Sequence, residues 1–362
     1  MPRLAVTSLS LSHLRSHKSA RIQGDGRPVA IHGPNGAGKT NILEALSLLS
    51  PGRGLRRARF DQLARMPEGV GWKVSAVLDA PDRMHEIESM AAADATSRSI
   101  KIDGKSAPQL ALGRIARVIW LIPSMDRLWL DGAGERRRFL DRMTLSLEPG
   151  HADVVLTYEK AMRERNRLLK DNVADPGWYA GLETQMADAG ARLALNRDQT
   201  IDRVAAALDG AETSFPRAEL SLSDTAINAD TLRDALAESR PQDRAAGRTL
   251  VGPHRTDLSA IYTAKGIEAR LCSTGEQKAL LVSLILANVR ALMQELGVAP
   301  IILLDEVAAH LDADRRAALY DEICTLGAQA WMTGTDAHLF EPLGDRALWL
   351  EVTEENGQSQ IA

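Results

Sequence analysis

The stretch VAIHGPNGAGKTNILEALSLL, Val29 to Leu49, leaves few folds open to this chain. A short apolar strand, Val29 to Ile31, runs straight into a glycine-rich turn. A helix follows, with Ile42, Leu43, Leu46 and Leu49 on one face. The turn fits G-x-x-x-x-G-K-[ST] in full, from Gly33 to Thr40. Gly33, Gly36 and Gly38 let the backbone curl its N–H groups round phosphate oxygens, and the helix N-terminus adds its positive end. Gly33, Pro34, Asn35, Gly36, Ala37, Gly38, Lys39, Thr40 and Asn41 are therefore the expected nucleotide-binding residues. Lys39 reaches the β- and γ-phosphates, and the Thr40 hydroxyl is a magnesium ligand. Such a turn between strand and helix implies an α/β fold with a parallel sheet.

A second segment completes that site. In VAPIILLDEVAAHLD, Val298 to Asp312, the run Ile301 to Leu304 suits a strand buried on both faces of a parallel sheet. Asp305 emerges at its carboxyl end, where such sheets bind ligands, and can hold magnesium directly or through water. Glu306 follows and points differently, which suits polarising the water that attacks a γ-phosphate. Lys39 and Glu306 are thus the expected catalytic pair.

A third segment, CSTGEQKALL from Cys272 to Leu281, also starts a helix, expected to end near Gly297. Ser273 and Glu276 stand three apart, as in a capping box, and plain capping accounts for both. Gly275 equally lets an anion approach the backbone. On these residues alone plain capping is the preferred reading.

With 362 residues the chain can form a large core and two domains. No window is apolar for the roughly 20 residues that a membrane span needs. The first twenty residues alternate like a strand rather than a secretory signal. Cys272 and Cys324 offer no disulfide framework and no zinc spacing, which suits a reduced cytosol. Net charge is −4, so a nucleic-acid surface would have to be local. Basic residues cluster at Arg53 to Arg59 and at Arg136 to Arg138. Aromatics are only 4%, too few for a single-strand stacking platform. Between Lys39 and Ser273 lies a long stretch of chain that separates the phosphate loop from the third segment. Its segments Val154 to Asp171 and Glu183 to Gly210 have helical spacing, with a break expected between Asn172 and Leu182 at Pro176, Gly177 and Gly181. The expected division is 1–125 and 247–362 as two parts of an ATPase head, with a helical arm at 126–246.

The order of segments, with the phosphate loop first, then a long insertion, STGEQ, LLDE and AAHLD, resembles the ABC-type ATPases. That resemblance implies an ABC-type P-loop head with an inserted, mainly helical arm. It also implies that Ser273, Thr274, Gly275 and Glu276 act on the ATP of a second protomer. Glu276 stands where many members have Gln. The stretches LSLSHLRSHKSARI, IPSMDRLWLDGAGERRRFLDRM, TLVGPHRTDL and STGEQKALLVSLILA resemble the RecF proteins, bacterial recombination mediators, in the family's order from end to end. Membership implies ATP and Mg2+ as cofactors, an ATP-dependent homodimer and slow, DNA-stimulated hydrolysis in the cytoplasm. It also implies binding to duplex DNA and single-strand/duplex junctions, and help in loading RecA with RecR and RecO.

With that resemblance, Arg53, Arg56, Arg57 and Arg59 become candidate DNA contacts, whereas Arg136, Arg137 and Arg138 more naturally meet acidic neighbours in the arm. The segment IPSMDRL lacks the Gln that ABC enzymes place near magnesium, and Asp126 is a candidate replacement. Thr333 or Thr335 occupies the region of the transporters' switch His, and His338 is expected at the surface. His254 and Arg255 carry no assigned role. The alternative, an ATPase subunit of a membrane transporter, has the insertion, the RecF-like motifs and the missing switch His against it.

Overall fold

The computed structural model describes residues 3–224 and 227–362, the side chain of His310 apart. Residues 1 and 2 of the expected N-terminal segment and 225 and 226 of the expected arm lie outside it. The chain divides into two compact units. One runs to Asp126 and takes in Gly210–Pro216 and Ser273–Ala362; the other comprises Arg127–Asp209 and Arg217–Cys272. Residues 247–272, expected with the head, thus belong to the second unit.

The first unit begins with strands β1 (Ala5–Leu14), β2 (His17–Gln23) and β3 (Val29–His32), and then helix α1 (Lys39–Ser47). Next come β4 (Trp72–Asp79), β5 (Met84–Ala91), β6 (Ser99–Ile102), β7 (Lys105–Ala107), the short helix α2 (Leu112–Ile115) and β8 (Val118–Leu121).

The second unit has helices α3 (Ala133–Leu147), α4 (His151–Lys170) and α5 (Pro176–Asp209), strand β9 (Ala218–Leu222), helices α6 (Ala229–Glu238) and α7 (Arg240–Ala246), and strands β10 (Leu258–Tyr262) and β11 (Ile267–Glu268). The first unit then closes with α8 (Thr274–Leu296), β12 (Ile301–Leu304), α9 (Ala313–Thr325), β13 (Ala330–Gly334), β14 (Leu348–Glu355) and β15 (Gln358–Ile361).

Two six-stranded sheets build the first unit. One has the order β2-β1-β4-β5-β6-β7 and is antiparallel. β4 alternates strictly: Trp72, Val74, Ala76 and Leu78 are buried and the residues between them are half-buried, the mark of a sheet with one face on the core. The other sheet has the order β15-β14-β3-β13-β12-β8, parallel except for the β14–β15 hairpin. β12 (IILL) and β8 (VIWL) are buried along their whole length, as strands covered on both faces must be. One core joins Leu9, Val74 and Ile87 of the first sheet, Ile42, Leu43 and Leu46 of α1, and Val29, Ile31 and Trp331 of the second. Against β8 and β12, Val282, Ile285 and Leu286 of α8 meet Leu319 and Ile323 of α9 with no room for a water between them.

The expectation that no segment is apolar enough to cross a membrane is corrected at α8. It reaches a mean hydropathy of 1.5 over an 18-residue window, of which 72% is buried inside the fold. Its apolar character is that of a core helix. Gly297 ends it in the left-handed conformation (φ 68°), where a side chain would be strained.

The second unit packs α4, α5 and α6 round Tyr158, Ala161, Met186, Leu193, Leu232 and Leu236. Gly190 lets α5 approach closely, since a Cβ there would lie 2.7 Å from Leu232 Cδ2. The break expected from Asn172 to Leu182 is shorter: α5 begins at Pro176 and runs through Gly177 and Gly181. Proline at a first helical position costs nothing, because its missing N–H would have no helical partner there. The unit also holds the three-stranded sheet β11-β10-β9, which the helical spacing did not announce. β10 draws residues 247–272 into this unit by pairing with β9.

Candidate nucleotide-binding site

Strand order brings the distant motifs together. β13 lies between β3 and β12, with Thr333 opposite Ile31 and Met332 opposite Leu304. The carboxyl ends of all three strands therefore open on one edge, beside the loop that leads into α1.

The loop's glycines serve different ends. Gly33, Gly36 and Gly38 all have positive φ (140°, 84° and 103°). A Cβ at Gly33 would collide with the Val352 carbonyl, whereas around Gly36 the space is open. Pro34, Asn35 and Gly36 are exposed, and Ala37 and Lys39 are buried. α1 starts at Gly38 with no side-chain cap, so its first N–H groups have no capping acceptor.

Lys39 is only 5% exposed. Its ammonium donates to the Gly33 carbonyl at 2.6 Å and to the Pro34 carbonyl at 2.8 Å. Burial pushes its pKa below the usual lysine value, against the opposing pull of Glu306 and Asp305. A phosphate would supply stronger acceptors than these two carbonyls.

Thr40 and Asp305 meet: the Thr40 hydroxyl donates to Asp305 Oδ1 at 2.8 Å. The Thr333 hydroxyl donates to the same oxygen, also at 2.8 Å, and accepts the Glu306 N–H at 3.0 Å. Of the two threonines considered from the sequence, Thr333 belongs to the site and Thr335 is exposed. Thr40 and Asp305 present hard oxygen donors, and no group of three or more His, Cys, Asp or Glu among the described residues could hold a metal. Two protein oxygens suit Mg2+, which keeps several waters and binds one or two protein groups together with phosphates. Glu306 has φ 54°, the left-handed region, which a non-glycine side chain occupies at a cost of about 1–3 kcal/mol.

Other expected residues have protein partners of their own. The Asn41 side chain donates to Ser16 Oγ at 2.7 Å and accepts from Arg56 at 3.0 Å, so it is taken up at both ends. Asp126 pairs with Lys278 of α8 at 3.0 Å. His338 is exposed and hydrogen-bonds to Glu341, which raises its pKa. Arg53, Arg56, Arg57 and Arg59 are all exposed. Arg56 also lies 3.6 Å from the fully buried Glu44, and Arg59 pairs with Asp61 at 3.1 Å.

At the start of α8, the Ser273 hydroxyl accepts the Glu276 N–H at 3.4 Å and the Glu276 carboxylate accepts the Ser273 N–H at 2.9 Å. The capping box is complete. Ser273, Thr274 and Gly275 are nonetheless exposed.

The two motifs that ATP chemistry did not explain interlock within the second unit. Arg136 of GAGERRRFLD grips Asp257 of GPHRTDL through two hydrogen bonds, at 2.7 and 2.8 Å. Arg137 donates to the Thr256 carbonyl at 2.9 Å. Asp141 holds Arg197, which donates to the Pro253 carbonyl at 2.7 Å. His254 donates through Nε2 to the Thr249 carbonyl at 3.1 Å, so its Nδ1 accepts the Tyr158 hydroxyl at 2.7 Å. Burial lowers the His254 pKa below the usual imidazole value. Arg138 pairs with Glu135, and Arg255 stays exposed. These contacts fix a loop; no local sequence signal links residues so far apart.

Residues 5–359 match the family described as the RecF/RecN/SMC N-terminal domain. The chain is 45% identical over 368 residues to the DNA replication and repair protein RecF of Rhizobium etli, covering 97% of this chain and 98% of that one. It is 45% identical over 362 residues to the protein of that name from Mesorhizobium japonicum, covering 96% of each. Among solved structures, the recombination mediator protein RecF with ATP superposes with a TM-score of 0.84 at 22% identity, over 100% of both chains. The Smc head domain of Pyrococcus furiosus gives 0.58 at 19% identity, over 100% of this chain and 96% of that one. The fold expected of an ABC-type head with an insertion is thus the fold of these neighbours, and the membrane-transporter alternative is not favoured.

Proposed function

The chain belongs to the RecF family, and on that footing we propose that it is an ATP-gated DNA-binding protein of recombinational repair. ATP occupies the cradle from Gly33 to Asn41, with Lys39 on its β- and γ-phosphates. Thr40 and Asp305 hold Mg2+, which neutralises phosphate charge. Glu306 orients the attacking water, and Thr333 fixes the backbone from which Glu306 projects. The observation that carries this reading is the convergence of the Thr40 and Thr333 hydroxyls on Asp305 Oδ1, with Thr333 also accepting the Glu306 N–H, from three segments that the sequence keeps apart.

The γ-phosphate then joins two copies, because the exposed Ser273–Gly275 segment of one protomer caps the nucleotide of its partner. Arg53, Arg56, Arg57 and Arg59 form part of a sequence-independent, salt-sensitive DNA surface. Slow hydrolysis, stimulated by DNA, releases the dimer. The cytoplasm is its setting, RecR and RecO its partners, and RecA loading at gaps and junctions its outcome. Related proteins named for DNA replication and repair support this part of the reading.

Glu306→Gln tests the chemistry. It retains ATP binding and lowers turnover about 100-fold or more, the scale on which a general base acts. Equal turnover by wild type and variant in a phosphate-release assay removes Glu306 from the mechanism.

A further inference from the structure

Behind the cradle meet three pieces of chain that the sequence keeps apart: Ser16 and His17 at the start of β2, Ala37 and Gly38, and Ser359 of β15. Ser359 Oγ lies 2.6 Å from the Ala37 carbonyl and 2.6 Å from Ser16 Oγ. Asn41 Nδ2 donates to Ser16 Oγ at 2.7 Å. A carbonyl only accepts and an amide NH2 only donates. The protons therefore run one way, from Asn41 to Ser16 to Ser359 to the Ala37 carbonyl. His17 Nε2 lies 3.1 Å from the Gly38 carbonyl, so the ring proton sits on Nε2. His17 Nδ1 is buried with no partner among the described residues, which leaves that single bond as the ring's polar tie. Both side chains are sealed from water, at 0% and 1% exposure. A Cβ on Gly38 would press on Ser359 Oγ, on Ser16 Oγ at 2.6 Å and on His17 Nε2 at 3.1 Å, so contact with all three requires glycine there. Arg65 braces the arrangement by donating to the Ser16 and Gly357 carbonyls, each at 2.9 Å.

A trans peptide is planar, so a carbonyl drawn to one side sends the following N–H to the other. With the Ala37 and Gly38 carbonyls held toward β2 and β15, the N–H groups of Gly38 and Lys39 face away from them. These are donors at the uncapped start of α1. We propose that Ser359 and His17 are positioning residues of the cradle: they lock two peptide planes so that the Gly38 and Lys39 amides are preset for a phosphate. Neither touches the nucleotide. Both act through the loop's carbonyls, and the C-terminal hairpin thereby becomes part of the site. This inference rests on reading the cradle as an ATP site.

The test uses the full chain, a fluorescent ATP analogue with Mg2+, and steady-state hydrolysis. Ser359→Ala and His17→Phe each weaken ATP binding about five- to tenfold, the worth of one net hydrogen bond. KM rises by the same factor and kcat stays within about twofold, because the amides hold the phosphate equally in ground and transition states. His17→Gln, which can present an NH2 at similar reach, recovers most of the affinity. Wild-type affinity in both variants overturns the inference. So does a loss that tracks thermal unfolding and is as large in His17→Gln as in His17→Phe. Lys39→Ala separates the two readings: if it alone loses ATP, the positioning inference falls and the ATP site stands. If Lys39→Ala binds like wild type, both fall.

Discussion

Two helices of the head begin at motifs expected to meet a phosphate, and they begin differently. α1 starts at a left-handed glycine, with no side chain on its first N–H groups and with its preceding carbonyls held from behind. α8 starts at Ser273 with both halves of a capping box in place. An open helix start is poised for an anion; a capped one is already satisfied and stands without it. The difference matches a division of labour in which α1 binds ATP within its own chain and α8 meets ATP only when a second copy arrives. The box stabilises α8 by about 1 kcal/mol with no nucleotide present.

Separating the two starts genetically has the strongest consequence. Lys39→Ala and Ser273→Arg chains should each be nearly inactive alone. In a mixed dimer one site carries both lesions and the other carries none. Equal mixing then restores about a quarter of wild-type hydrolysis, half the dimers each with one intact site. Mixed dimers that form, as shown by cross-linking, and stay inactive would mean that both motifs serve one chain.

A smaller effect comes from the charge at the start of α8. Glu276 places a carboxylate at the start of α8, where an incoming triphosphate brings like charge. Glu276→Gln keeps a side chain that can complete a capping box while removing that charge. The dimer formed with a non-hydrolysable ATP analogue should tighten several-fold by sedimentation, while ATP affinity of the single chain stays unchanged. An unchanged or weaker dimer places Glu276 away from the partner's phosphate.

The two starts were not equally legible in the sequence. The first was plain because its chemistry is local: glycines, lysine and threonine within eight residues, with strand before and helix after. Asp305 and Glu306 were legible for the same reason, as the end of a buried strand. Thr333 was narrowed only to one of two, because strand pairing decides which threonine faces Asp305. Ser359 and His17 gave no signal at all. Their role depends on β15 and β2 closing behind the loop, and a serine or histidine in a strand looks like any other. Ser273 and Glu276 were read correctly as a capping pair, since that geometry is set by a spacing of three. The arm's fold was seen as helical because amphipathic spacing is local, whereas β9 and β10 pair across the intervening residues 223–257, helices included. The interlock of Arg136, Arg137 and Asp141 with the 253–257 loop was hidden for the same reason.

The smallest effect concerns acidity, and it touches only the first start. Burial of His17, with Arg65 adding to it, lowers its pKa below the usual imidazole value. The folded head therefore refuses a proton that the unfolded chain accepts. Its contribution is fully present above the ordinary imidazole pKa of about 6.5 and is lost as pH falls below it, toward the lowered folded value. Protonation would put a charge and a second N–H on a ring whose Nδ1 has no partner among the described residues. Denaturant unfolding between about pH 7.5 and 5.5 should show stability dropping by no more than about 1.4 kcal/mol per pH unit from this group. His17→Phe should flatten the slope in part, because His254, lowered by burial in the second unit, contributes in the same direction. The capping box of α8 contains no histidine, so ATP-driven dimerisation at a saturating nucleotide concentration should be less sensitive to this range than ATP binding itself. If His17→Phe leaves the slope unchanged, the ring is not the proton-refusing group, and the asymmetry between the two helix starts owes nothing to it.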